Sequence, residues 1–296
     1  MTSQLINAVL LGGYYAVLAT GLAFMFSVMN IINLAHGAFI ILAGFGLFVL
    51  GSDLGVPLPL AIVIMIGVMF VVGFILHRVV LSRASGGGEL LPILATFGIA
   101  IILDNLMFQV FGADSKSLAP MVGDLAWASY ELPGFIFIGK ISVYILTAGI
   151  VMIGALEWML RRTTLGHRIQ ATSQDRATAS LLGIDTGRTA AIATGIALAT
   201  GVVAATALGL RSAWGPYDGS AQLLFAFEAV VIGGIGSLWR VLIGAMILAF
   251  AQSMGAMIHP QGFLISGHLA FLAAVFVRLG GRSFSLKSLL AKGARA

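Results

Sequence analysis

Asp104 and Glu228 are the side chains best placed to do chemistry in this chain, because each is an ionisable group inside a long apolar run. A charge away from water is costly and is kept where it is paired or used, so each acid is a candidate proton or cation site. Asp104 lies past the midpoint of the run 90–112, beside Asn105, where it approaches an interface. Glu228 sits among Phe225, Ala226, Phe227, Ala229 and Val230. It is read as a structural hydrogen-bonding group and not as a proton-coupling one. Asn30, Asn33 and His36 place three polar side chains within seven residues of an otherwise apolar segment. Idle polar groups there would be costly, so they suit a polar route for a solute. His36 has no catalytic partner close in sequence and is not read as a general base, and His77, His167, His259 and His268 fall near span ends or loops. The chain has no cysteine, no GxxxxGK[ST] phosphate loop, no HExxH and no GxSxG. No catalytic residue, metal site, bound cofactor or P-loop nucleotide site is therefore expected.

The elements that position these groups are set by composition. Of 296 residues, 59% are hydrophobic and 9% charged, against roughly 25% charged in soluble domains. The apolar runs are continuous rather than alternating, which excludes a β-barrel. The chain is expected to be an all-α, polytopic helical membrane protein forming one domain over 1–296, and its charge of +5 reflects topology rather than nucleic acid. Runs long enough to span, at roughly 20 residues each, are 5–29, 34–51, 57–81, 90–112, 135–160, 189–211, 222–239, 241–258 and 262–280. That gives about eight or nine spans, with 222–239 the least secure as a full crossing.

Lysine and arginine set the orientation. Arg78, Arg83, Arg161, Arg162, Arg168, Arg176, Arg188, Arg240, Arg278, Arg282, Lys287, Lys292 and Arg295 thread to one side, and Lys116, Lys140 and Arg211 to the other. The basic side, with the loop 161–188 and the C-terminus, is expected to be cytoplasmic in a cell inner membrane.

Two runs read as broken or re-entrant. In Asn30–Gly44 the break is followed by His36 and Gly37; in Val230–Gly244 it falls at Gly233, Gly234, Gly236 and Ser237. Backbone groups freed by a break cannot face lipid, so they line protein or a wet cavity, and a matched pair of breaks points to a solute route. Small residues that only let helices pack closely would give a similar pattern. On the basic side, 161–188 contains a short helix over about 174–183. Ser173 is read as its cap, Asp175 and Arg176 lie in its first turn, Gly183 is its left-handed end, and Ala177, Leu181 and Ile184 form an apolar stripe. A short capped helix with an apolar face outside the bilayer suits docking of a partner.

Three passages resemble one family. Asn33-Leu34-Ala35-His36-Gly37-Ala38 is similar to an NxAHG segment, and Gln174-Asp175-Arg176 through Leu181-Leu182-Gly183-Ile184 to a QDxxxAxLxGI loop. Val231-Ile232-Gly233-Gly234-Ile235-Gly236-Ser237 is similar to a VxGGxGS segment. In this order they resemble the LivH-type inner-membrane permease subunits of branched-chain amino acid ABC importers. Ala177-Thr178-Ala179, Arg240 and Glu228 depart from the family pattern. The resemblance implies ABC ATPase subunits docked on the loop and using ATP, a second permease subunit that is a related chain or a copy, and an extracytoplasmic solute-binding protein. It implies branched-chain or other small neutral amino acids as substrates. A urea or short-amide permease and an ion-coupled secondary transporter are the alternatives.

Overall fold

The computed structural model describes residues 2–29, 31–84, 88, 90–132, 136–234 and 236–283. Asn30 and the basic residues Lys287, Lys292 and Arg295 lie outside the described residues. Backbone in hydrocarbon must satisfy its own N–H and C=O groups, and the apolar runs do so as helices. The described residues form α1 (Thr2–Met29), α2 (His36–Phe48), α3 (Leu58–Leu76), α4 (Ser82–Ala84), α5 (Leu90–Phe111), α6 (Lys140–Arg162), α7 (Thr164–Gln174), α8 (Arg176–Leu181), α9 (Thr186–Arg211), α10 (Gly219–Gly233), α11 (Leu238–Ile258) and α12 (Gly262–Ser283). A wider π turn extends α2 through Val49–Asp53, and another joins α3 to α4 through His77–Leu81. Among the described residues seven helices are long and apolar enough to cross a membrane.

The centre of the bundle is α1 and α9. α1 packs against α6, α9, α10 and α11, and α9 also packs against α2, α3 and α7. α9 can be buried deeply because its inner residues are small, among them Ala190, Ala193, Ala197, Ala204 and Ala205, so neighbouring backbones approach closely. α3 and α5 form the outside and turn Leu60, Val63, Val71, Leu94 and Ile102 outward, as lipid-facing helices do.

Two expected spans are corrected. The run 222–239 is not one helix. α10 has 15 residues, about 22 Å at 1.5 Å per residue against a hydrocarbon core of about 30 Å. The chain leaves the helix after Gly233, where Gly234 adopts φ +86, and starts α11 at Leu238. The run 135–160 is also shorter, because Ile136–Gly139 is a strand paired antiparallel with Ser129–Leu132, in the register Tyr130 to Ile138. Its β-branched and aromatic residues fit a pleated surface, and α6 begins only at Lys140.

Candidate translocation path and docking face

The first break is at the start of α2, and it lies deep inside the bundle. His36 is buried and its Nε2–H donates to the carbonyl of Leu18 at 3.0 Å, halfway along α1. Asn33 is fully buried; its side-chain oxygen accepts from the Ala35 N–H at 3.0 Å, and its carbonyl accepts from the His36 N–H at 3.2 Å. Thr96 of α5 takes the Leu34 N–H at 3.1 Å. The side-chain amide nitrogen of Asn33 is buried without a partner.

Gly37 meets the start of α10. A β-carbon there would overlap the carbonyl oxygen of Gly219, and one on Gly219 would come within 2.8 Å of the Ala38 nitrogen. Tyr14, also near the middle of α1, donates to Gln222 in the first turn of α10 at 2.7 Å. Two helices thus begin midway through the bundle, N-terminus against N-terminus. Neither start has a side-chain cap bonded to its first turn from the N-cap residue itself, Ala35 for α2 and Asp218 for α10. The loop feeding α10, Ser212–Asp218, turns inward at the buried Trp214, with Asp218 accepting from the Gly215 N–H at 2.7 Å. Sequence reasoning missed this break. Its signal was the turn-rich series Trp214-Gly215-Pro216-Tyr217-Asp218-Gly219.

The break at Gly233–Ser237 lies elsewhere, at the bundle end that carries 161–188. Gly233 packs against Gly244 and the Arg240 carbonyl, where a β-carbon on either glycine would overlap backbone. The guanidinium of Arg278 donates to the carbonyl of Ile232 at 3.0 Å and so caps the end of α10. Gly234, Gly236 and Ser237 line a cavity of about 600 Å³ with residues of α1, α6 and α7. Asn33, His36 and Gly37 are not among its walls, so the two sequence-expected breaks do not share one chamber.

The intramembrane acids find different settings. Glu228 is buried, and its Oε1 lies 2.5 Å from Nδ1 of His268 on α12, while its Oε2 has no partner. Beside it, Tyr15 donates to Gln252 of α11 at 2.5 Å. Tyr14, Tyr15, Gln222, Glu228, Gln252 and His268 thereby tie α1, α10, α11 and α12 together with polar contacts. His268 is half-buried beside Glu228, and His77 is buried with its Nδ1 3.2 Å from the Thr194 hydroxyl. Asp104 is half-buried on α5 with one oxygen unpartnered. Its neighbour Asn105 accepts from the Tyr217 hydroxyl at 3.4 Å. Among the described residues no group of three or more histidines and acids could hold a metal ion.

The loop 161–188 forms two helices. Thr163 caps α7 by accepting from the Gly166 N–H at 3.0 Å. The cap of α8 is Asp175, which accepts from the Ala177 and Thr178 N–H groups at 2.9 and 3.1 Å. Ser173 lies inside α7 and is not the cap. The Thr178 hydroxyl and those N–H groups stabilise the Asp175 carboxylate and hold its pKa below the ordinary carboxylate range. Its contribution to stability is therefore complete above about pH 4 and is lost only as pH falls through the lowered value. Gly183 adopts φ +79 and ends α8, with the Ile184 N–H on the Ala179 carbonyl at 3.1 Å. Arg176 and Ala177 are exposed in the first turn and Ile184 is half-buried. Ala179 anchors the helix inward, while Leu181 and Leu182 stand 86% and 75% exposed. Leu182 lay off the expected stripe and belongs to the exposed apolar tip.

A family profile described as branched-chain amino acid transport system / permease component matches residues 4–279. The chain belongs to this family. The high-affinity branched-chain amino acid transport system permease protein LivH of Escherichia coli (strain K12) is 30% identical to the permease, covering 86% of this chain and 85% of that one. The protein of the same description named BraD in Pseudomonas aeruginosa is 27% identical, again over 86% and 85%. A probable LivH of Methanocaldococcus jannaschii is 24% identical over 92% and 88%. Among solved structures, PsaBC from Streptococcus pneumoniae in complex with Fab aligns with the permease at a TM-score of 0.49 and 14% identity, over 97% of this chain and 100% of that one.

Proposed function

We propose that this permease is the membrane-spanning subunit of an ATP-driven importer of branched-chain, or other small neutral, amino acids. The observation that carries this is the pairing of a half-way helix break inside the bundle with a capped docking tip, Leu181–Leu182, outside it. A secondary transporter has no use for the tip. ATP is bound and hydrolysed by separate ATPase subunits seated on α8, and an extracytoplasmic solute-binding protein delivers substrate. A second permease subunit, a related chain or a copy, completes the path. The loop 161–188 and the C-terminus face the cytoplasm of a cell inner membrane, since the arginines gather there. Closure of the ATPases pushes α8, and α7 and the central spans follow, alternating access to the path. Asn33, His36 and Gly37 are assigned to the inner part of that path, and Gly233, Gly234, Gly236 and Ser237 to its cytoplasmic end; Asn30, also read as a path residue, lies outside the described residues. Asp175, Arg176, Ala177, Leu181, Gly183 and Ile184 are assigned to ATPase docking.

Proteoliposomes holding the permease, its ATPase subunits and its binding protein test this. Labelled leucine should accumulate only with ATP inside the ATPase-facing compartment; accumulation driven by a proton gradient without ATP would reverse the reading. Glu228→Gln belongs to the same experiment. Glutamine keeps an oxygen that can face His268, so ATP-driven uptake should persist within about tenfold, the weakening of one hydrogen bond at most. Uptake by the variant should stay ATP-dependent and gain nothing from a proton gradient, as expected for an acid that ties α10 to α12. A loss of uptake in this variant with gradient-driven wild-type uptake would favour the ion-coupled alternative.

Gly183→Val tests the docking helix. Valine at φ +79 is strained by roughly 1–3 kcal/mol. A β-carbon there meets no neighbouring atom, so the cost is backbone strain at the helix end alone. The ATPase subunits should co-purify more weakly by about tenfold, while membrane insertion is unchanged. Full retention of the complex and of uptake would show that the end of α8 is not read by the ATPase.

A further inference from the structure

The cavity of about 600 Å³ at the loop end has a chemical character that the path assignment does not use. Its size falls within the roughly 300–1,000 Å³ of small-molecule sites. Its lining includes the apolar side chains Phe26, Leu160, Ile169 and Val241. It also includes charge of both signs. Glu157 of α6 presents a carboxylate, and Arg161 one turn later contacts it through Nε at 2.8 Å and a terminal nitrogen at 2.6 Å. Both contacts fall on Oε1, so Oε2 takes no bond from Arg161. Glu157 is the shielded partner, with 14% of its side chain exposed against 67% for Arg161. Arg161 supplies the cation that a carboxylate so enclosed at the end of a membrane helix requires, and it does so on one oxygen only. The start of α11 lines the same cavity; there Ser237 is the N-cap but makes no side-chain bond to the first turn. The free N–H groups of that 21-residue helix carry a partial positive charge.

We propose that this cavity is the cytoplasmic holding site for a zwitterionic amino acid with an apolar side chain. The α-ammonium is taken by Glu157, and the α-carboxylate by Arg161 and the open start of α11 at Gly236 and Ser237. The side chain lies against Phe26, Leu160, Ile169 and Val241. This assignment rests on the transport reading above and adds the residues that would hold the substrate before release. It also gives a route for coupling. Gln174, the last residue of α7, lines the cavity, and the next residue, Asp175, is the cap of α8. A wall of the site is thus continuous with the exposed docking tip, so a push on α8 alters the cavity directly.

The native chain has no cysteine, so single reporters at Ser173→Cys and Ser237→Cys report on the cavity without background from this subunit. The complete transporter in nanodiscs is treated with a water-soluble maleimide, and modification of the permease is timed with leucine, 4-methylpentanoate or 3-methylbutylamine. The two analogues each lack one charged end. Leucine should slow modification at both reporters by about tenfold or more, and each analogue by less than about twofold, because each loses a charge-assisted hydrogen bond. Adding Glu157→Gln to the Ser173→Cys reporter should remove leucine protection while the rate without leucine stays at the parent value, which checks that the fold is intact. Equal protection by all three compounds would overturn recognition of both charges. No protection by leucine, in a preparation that takes up leucine with ATP, would overturn the site and leave the transport reading standing. Absence of ATP-driven uptake in the unmodified transporter would instead overturn the transport reading.

Discussion

Gly37→Ala should abolish ATP-driven uptake and lower the melting temperature of the purified subunit. The added methyl would occupy the place of the Gly219 carbonyl oxygen, so the starts of α2 and α10 must separate. Backbone cannot yield as a side-chain tip does. The cost should sit at the upper end of the usual overpacking range, about 3 kcal/mol. For a chain of 296 residues that is a fall of about 5 °C in Tm. Because α2 also holds His36 on Leu18 and Asn33 at its own start, the separation disturbs the whole break. Gly98→Ala is the control: it lies on the outward helix α5, and a β-carbon there meets nothing within 4 Å, so uptake and Tm should match wild type. Unchanged uptake in Gly37→Ala would show that the two helix starts need not touch.

The second large effect is expected at the docking tip. Leu181→Ser with Leu182→Ser should leave Tm and insertion unchanged, since the two side chains are 86% and 75% exposed and hold nothing in this chain. On the function proposed above they are the apolar anchors for the ATPase. Burying a leucine fully is worth roughly 1.5–3 kcal/mol, so removing both should weaken association by more than about a hundredfold. Titration of the purified ATPase onto nanodisc-held permease measures this. An affinity within threefold of wild type would place the docking surface elsewhere on 161–188. The tip should also bind equally well at pH 6 and pH 8, because the Asp175 cap is fully charged across that range.

Some of this was legible in the residues alone. Continuous apolar runs and sparse charge forced helices, since hydrocarbon offers the backbone no other partner. The polar cluster Asn33–His36 marked a break because such groups are costly within a span. Gly183 marked a helix end because φ +79 suits glycine and few other residues. These are local statements, decided by a side chain and its near neighbours.

What the sequence could not decide is which distant groups meet. His36 bonds Leu18, Gly37 meets Gly219, Tyr15 bonds Gln252 and Glu228 bonds His268, across separations of up to 237 residues. Helical periodicity says which face is apolar but not which neighbour covers it, and in a membrane nearly every face is apolar. The cap of α8 shows the same limit at short range. Ser173 and Asp175 have similar capping propensity, and the choice fell to Asp175 because α7, started by Thr163 and anchored through buried Ile169 and Thr172, runs on to Gln174. Helix α10 was misjudged because its start is set by the buried turn at Trp214 and by contact with α2, neither visible in the hydropathy of 222–239. The residues of this chain determined that it lives in a membrane and where its helices can end. Only the packing of α1 and α9 at the centre determined which ends lie at mid-depth, because that depends on small side chains allowing two particular backbones to touch.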